Sequence, residues 1–79
     1  MARVLFFGRL RDVAGVAQVD VEASTLAQLR ALLGADNPEL ARALAEPGTM
    51  VAVDMVMRRD HGDLASDSEV AFMSPLSGG

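Results

Sequence analysis

The apolar and polar positions along the chain fall into short runs, each with a period that identifies an element. Val4-Leu5-Phe6-Phe7 is apolar throughout, so as a strand it carries Val4 and Phe6 on one face and Leu5 and Phe7 on the other. A strand apolar on both faces sits at the centre of a sheet, or turns its second face to a partner. Leu10, Val13 and Ala14 predict one short helical turn before Gly15. Residues 17–22 then alternate, with Val19 and Val21 set against Gln18, Asp20 and Glu22, which predicts a half-buried strand antiparallel to the first. Ser24 or Thr25 offers an N-cap, and Thr25 with Gln28 has the form of a capping box. Leu26, Leu29 and Leu33 form a stripe with Arg30 off it, and Gly34 reads as the stop, so a helix is expected over 25–33. Asn37 as cap, Pro38 at the first helical position, and Leu40 with Leu44 predict a second, short helix ending before Pro47-Gly48. Residues 50–54 read as a strand and 55–58 as a short strand or hairpin return. Residues 60–68 are polar and turn-rich, and 69–73 form a last strand with Val70 and Phe72 on one face and Ala71 and Met73 on the other.

The order strand, strand, helix, strand, strand, strand indicates an α+β domain of β-grasp, ubiquitin-like arrangement. It predicts a mixed sheet of about five strands packed on one main helix plus a short second helix. Connectivity alone also allows other α+β sheets. In the β-grasp case the helix crossover makes the first and last strands parallel neighbours at the centre. Val4, Phe6, Val70 and Phe72 then face the helix, while Leu5, Phe7, Ala71 and Met73 share the opposite face. Such an apolar patch marks a protein interface, and Arg9 and Arg11 are placed to frame it and pair with acidic partner residues.

Composition narrows the function. Seventy-nine residues make one domain, which buries about 60–65% of its unfolded surface. With 51% apolar residues the chain is not of the disordered class. There is no cysteine, so disulfides, thiolate metal sites and an internal cysteine nucleophile are excluded. The net charge is −4, and the basic residues are seven scattered arginines with no lysine, which argues against nucleic acid and suits a basic protein partner. No apolar run approaches the roughly 18 residues of a membrane span. The apolar stretch after Arg3 stops at Gly8, too soon for a signal peptide, so the expected location is the cytoplasm.

The chemistry points to the chain's last residues, Ser74-Pro75-Leu76-Ser77-Gly78-Gly79. Gly78 and Gly79 lack a Cβ, so this stretch is expected to be thin and flexible, a tail (74–79) attached to a folded domain (1–73). Such a tail can thread a narrow active site on another protein and present an ionised terminal carboxylate. That carboxylate can attack the α-phosphate of ATP, and a sulfur or nitrogen nucleophile can displace the resulting acyl-adenylate.

The C-terminal run Glu69-Val70-Ala71-Phe72-Met73-Ser74-Pro75-Leu76-Ser77-Gly78-Gly79 resembles the end of the MoaD/ThiS family of ubiquitin-like sulfur carriers, which includes the small subunits of molybdopterin synthase. Val4-Leu5-Phe6-Phe7-Gly8-Arg9-Leu10-Arg11 is similar to that family's first strand and turn. Two departures stand out: Ser74 replaces the first of two prolines, and Asp54 stands where Asn is common. The resemblance implies a sulfur carrier of molybdenum cofactor biosynthesis. An E1-like adenylyltransferase would adenylate Gly79 with ATP, which the activating enzyme and not this chain binds. A persulfide-bearing sulfur donor protein would convert it to a thiocarboxylate. The tail would then insert into the large subunit of a heterotetrameric molybdopterin synthase and give its sulfur to the pterin precursor, forming the dithiolene. Gly79 would be the chemical site and Gly78 would give access. Leu5, Phe7, Arg9, Arg11, Met73, Pro75, Leu76 and Ser77 would meet the partner. Other outcomes of the same tail chemistry are a carrier for thiamin thiazole or another pathway, and a ubiquitin-like modifier joined to lysine.

Within the chain no catalytic centre, metal site or bound cofactor is evident. His61, between Asp60 and Asp63 in a polar turn, reads as an exposed turn residue rather than a ligand. Gly8 to Gly15 lacks the Gly-Lys-Ser/Thr ending of a phosphate loop. Asp54 with Asp60, and Asp67 with Glu69, read as solvated turn charges rather than catalytic pairs. Met50, Met55, Met57 and Met73 read first as core filler, with a pliable binding face as the alternative.

Overall fold

The computed structural model describes residues 1–74. The elements run β1 (Ala2–Phe7), α1 (Arg9–Ala14), β2 (Gln18–Val21), α2 (Leu26–Ala35), α3 (Pro38–Ala45), β3 (Met50–Val53), β4 (Val56–Arg58) and β5 (Glu69–Met73). The five strands form one mixed sheet in the order β2-β1-β5-β3-β4, with β1 and β5 parallel and the other pairs antiparallel. This is the β-grasp, with the first and last strands adjacent at the centre as the crossover requires.

Period-2 alternation along β1 and β5 sends Val4, Phe6, Val70 and Phe72 to the helical side, where all four are buried. Phe6 lies opposite Phe72 in register, and their rings stack with centroids 6.2 Å apart. Leu26 and Leu29 of α2, Leu40 and Leu44 of α3, and Leu10 of α1 close over them. Three helices therefore cover the sheet, rather than one main helix and one short one. The predicted turn at residues 10–14 is α1, and its Leu10 is part of the core.

Both helix starts follow from their caps. Thr25 Oγ1 accepts from the Gln28 N–H at 3.0 Å. Gln28 Oε1 reaches back one residue further than a capping box requires, to the Ser24 N–H at 2.9 Å. The turn-rich loop supplies the remaining acceptors: Leu26 N–H donates to the Gly62 carbonyl at 2.9 Å and Ala27 N–H to that of His61 at 3.3 Å. Arg58 holds this loop in shape, donating from Nε and Nη2 to the two carboxylate oxygens of Asp60 at 2.7 Å each. Those hydrogen bonds keep the Asp60 carboxyl well below its usual range. Asn37 caps α3 by accepting from Leu40 N–H at 3.0 Å, while its Nδ2 donates to the Val13 carbonyl at 3.1 Å and ties α3 to α1.

One expectation is corrected, and two residues are placed in ways their local pattern does not show. Gly34 does not stop α2, which continues to Ala35 with Asp36 as C-cap. A Cβ on Gly34 would lie 2.7 Å from the Ala41 Cβ, so this glycine serves the close approach of α2 and α3. Arg30, although off the leucine stripe, is not a solvated residue. Its guanidinium lies 5.3 Å from the Phe72 ring centroid, and Nη1 donates to the Leu44 carbonyl at 2.9 Å near the end of α3. Burial lowers its pKa from the ordinary value. Finally, Val19 faces the helical side opposite Val4 but stays partly exposed, because β2 is an edge strand the helices do not fully cover.

Candidate functional site

Among the described residues no helix covers the outer face of the sheet, and strand register determines what it displays. Leu5 lies opposite Ala71, which lies opposite Ala52, which lies opposite Met57. One row further along, Phe7, Met73 and Met50 stand side by side. Neighbouring strands are about 4.8 Å apart, so these two rows form a continuous apolar surface over the four strands β1, β5, β3 and β4. Phe7 is 44% exposed, Met50 46% and Met57 53%, while Leu5, Ala71 and Met73 are half-buried among their neighbours. At the opposite end of the strands the face turns polar, with Asp20, Arg3 and Glu69 in one row.

The methionines belong to this face and to the β3–β4 turn, not to the core. The core cluster contains none of them, which overturns the core-filler reading of Met50, Met55, Met57 and Met73. Met55 is 91% exposed at the tip of the β3–β4 hairpin. There Asp54 and Met55 take φ of 50° and 70°, and positive φ at both central residues is what a two-residue hairpin turn of type I′ requires. Asp54 also brackets the start of β5: its N–H donates to the Glu69 carbonyl at 2.8 Å, and its Oδ1 accepts from the Glu69 N–H at 2.9 Å.

The Phe7–Met73–Met50 row is where β5 hands on to Ser74, the last described residue. Gly8 lies against it. Its φ of 61° favours glycine, and a Cβ there would meet Ser74 Oγ at 2.9 Å. The sharp bend at Gly8 turns the chain from β1 into α1 beside the end of β5. Arg9 opens α1, and its Nη2 lies 3.3 Å from Glu46 Oε2 across an exposed pair. Such a pair contributes little, about 0–1 kcal/mol, and is easily exchanged. Arg11 is exposed on the same helix.

Of the residues singled out from sequence, Leu5, Phe7 and Met73 share one surface, and Arg9 and Arg11 lie on the helix that begins beside its Ser74 end. Pro75, Leu76, Ser77, Gly78 and Gly79, and with them the expected tail beyond Ser74, lie outside the described residues. Met50 and Met57 join the apolar surface as the pliable binding face that the sequence offers as the alternative to core filler, whereas Ala52 and Gly8 were missed. Strand period carries the signal for Met50 and Ala52, since it puts them on the face opposite Val51 and Val53, although Ala52 is itself buried by its neighbours.

The described surface offers little that could act as a catalytic centre. Among the described residues no group of three His, Cys, Asp or Glu side chains could hold a metal ion. His61 is exposed and contributes its carbonyl to α2. A depression of about 510 Å³, lined in part by Met1, Glu22, Gln28 and Leu64, sits by the start of β1, at the end of the strand pair remote from Ser74. No helix among the described residues is long and apolar enough to cross a membrane.

Comparison with known proteins agrees with this geometry. Residues 4–79 match the ThiS family. The chain is 32% identical over 81 residues to the molybdopterin synthase sulfur carrier subunit of Escherichia coli (strain K12), covering the full length of both. Among solved structures it is similar to small archaeal modifier protein 1 of Methanosarcina acetivorans, with a TM-score of 0.87 and 18% identity over 99% of this chain and 95% of that one. It is also similar to CysO, an antigen of Mycobacterium tuberculosis, with a TM-score of 0.82 and 17% identity over 96% of this chain and 100% of that one. At these identities the two structures bear on the fold alone.

Proposed function

The chain belongs to the ThiS family, and from that membership we propose that it is the sulfur carrier subunit of a molybdopterin synthase, acting in molybdenum cofactor biosynthesis. The observation that carries this reading is the 32% identity with the Escherichia coli carrier over the whole length of both chains. The outer apolar face supports it, because that face runs along β5 to Ser74 and so ends where the chain continues toward Gly78 and Gly79.

In this reading the chain divides recognition from chemistry. Leu5, Phe7, Met73, Met50 and Met57 dock on the large subunit by burying apolar surface, about 25 cal/mol for each Å² removed from water. The rim arginines Arg9 and Arg11 meet acidic partner residues, Arg9 exchanging Glu46 for an intermolecular carboxylate. Pro75, Leu76 and Ser77 lead Gly78 and Gly79 into the partner's active site, where side chains larger than hydrogen would obstruct entry. The Gly79 carboxylate attacks the α-phosphate of ATP on an E1-like adenylyltransferase, releasing pyrophosphate. The terminal sulfur of a persulfide then displaces AMP to give an acyl disulfide. A thiol, on the donor protein or a small reductant, cleaves the S–S bond, forming a disulfide with the donor sulfur and releasing the Gly79 thiocarboxylate. That sulfur attacks the pterin precursor, and two rounds complete the dithiolene. The chain needs no bound metal or cofactor for this, and the cytoplasm is the compartment that holds its partners.

Deleting Gly79 tests the division. The deletion shortens the reach by about 3.3–3.6 Å, one extended residue, and a misplacement of even about 1 Å can cost a factor of about 100 in rate. The truncated protein is expected to fold and to bind the large subunit, yet to accept no sulfur and support no pterin synthesis in a reconstituted assay. Full activity of the truncated protein would overturn the proposal.

A further inference from the structure

The chain has no cysteine, so its five methionines are its only sulfur-containing side chains. Not one belongs to the buried core. Three of them, Met50, Met57 and Met73, stand on the outer face of the sheet, and Met50 and Met73 are direct cross-strand partners beside Phe7. Directly opposed side chains have Cβ atoms about 4.5–5.5 Å apart, so the two thioethers stand next to each other in the row nearest Ser74. Met50 is 46% and Met57 53% exposed, open to a small oxidant in the uncomplexed protein.

We propose that Met50 and Met73, with Met57 beside them, are an oxidative modification site, at which peroxide converts the outer face from a docking surface into a non-docking one while leaving the fold intact. The proposal rests on the docking role given to this face above. The step is a two-electron oxidation. A thioether sulfur lone pair attacks the peroxide, the O–O bond breaks, an S–O bond forms, and water leaves with the second oxygen. The product is a polar, chiral sulfoxide with a strong acceptor oxygen, and sulfoxide reductases reverse it.

The consequence follows from where these sulfurs are. A sulfoxide in a hydrophobic core disrupts packing and so stability, whereas here the three side chains stand on the outer face, outside the core cluster, and the core does not register the change. In a docked complex the same oxygen would be buried without a partner. An unsatisfied buried polar group weakens binding on the order of tenfold. Docking covers the three methionines, so the complex resists oxidation and the free carrier is the sensitive form.

The test uses the full chain and the molybdopterin synthase large subunit. The protein is treated with hydrogen peroxide, the sulfoxides are mapped by peptide mass, and affinity and thermal melting are measured before and after. Each variant is compared with its own untreated sample. The expected result is sulfoxide at Met50 and Met73, at least a tenfold loss of affinity, an almost unchanged melting temperature, and recovery on treatment with methionine sulfoxide reductases. Met50→Leu/Met57→Leu/Met73→Leu should show no peroxide-dependent loss, and Met55→Leu should show all of it. Unchanged affinity with Met50 and Met73 fully oxidised overturns the proposal. So does an equal loss in the triple variant, or a collapse of the melting temperature. Phe7→Glu without peroxide separates the two readings. If it leaves binding normal, the docking face itself is wrong. If it weakens binding while the oxidised protein binds normally, only the oxidative site is wrong.

Discussion

Met55 shows how a single backbone angle shapes this molecule. The β3–β4 hairpin turns on Asp54 and Met55, both with positive φ. Asp tolerates that region because its short polar side chain can hydrogen-bond nearby groups, and here Asp54 binds the Glu69 N–H. Met has no such compensation. Its side chain is almost wholly in water, so truncating it removes no packing. Left-handed backbone costs an ordinary L-residue about 1–2 kcal/mol, and glycine gives back part of that relief through its greater freedom in the unfolded chain. Met55→Gly should therefore stabilise the protein by a net of about 0.5–1 kcal/mol, seen in urea unfolding as a higher midpoint with an unchanged slope. A lower midpoint would mean that Met55 is not strained.

At the scale of elements, α2 and α3 depend on one missing methyl group. Gly34→Ala would improve helix propensity by about 1 kcal/mol. It would also drive a Cβ to 2.7 Å from the Ala41 Cβ and 3.3 Å from the Ala41 Cα, which is backbone and cannot rotate away. Overpacking of this kind typically costs about 1–3 kcal/mol, so the variant should be less stable in denaturant titrations. Adding Ala41→Gly should recover part of the loss after allowance for that substitution alone. This contact also explains why the end of α2 was illegible in the sequence. A glycine after a leucine stripe looks the same whether it stops a helix or admits a neighbouring one, and only the position of α3 decides between them. Arg30 escaped for a similar reason: its partners, Phe72 and the Leu44 carbonyl, are remote in sequence. The strands were readable because period-2 alternation is a local property. It separated Phe6 from Phe7 and Phe72 from Met73 without knowledge of the sheet. Extending the same reasoning to Met50 and Ala52 would have completed the outer face. The role of residues 60–63 in capping α2 could not be read locally, since it uses backbone carbonyls that any sequence possesses.

The whole molecule separates a buried inner face from an open outer one, and adjacent residues on β1 report on each. Phe6 is 2% exposed and stacked on Phe72, so Phe6→Ala should lower stability by about 3–5 kcal/mol, enough to unfold much of so small a domain. Phe7→Glu should leave the melting temperature nearly unchanged and weaken binding to the large subunit by about 2–4 kcal/mol, as for an anchor residue placed in a desolvated contact. The opposite pattern would invert the two faces. In this account the sheet supplies recognition, and the chemistry is confined to Gly79. The most direct measurement is therefore the mass of the C-terminal peptide after the protein has been incubated with its E1-like adenylyltransferase, ATP, a persulfide sulfur donor and a thiol reductant. The account predicts exchange of one oxygen for sulfur, located at Gly79. A peptide whose mass is unchanged, or an isopeptide bond to a lysine of another protein in place of the sulfur, would contradict it.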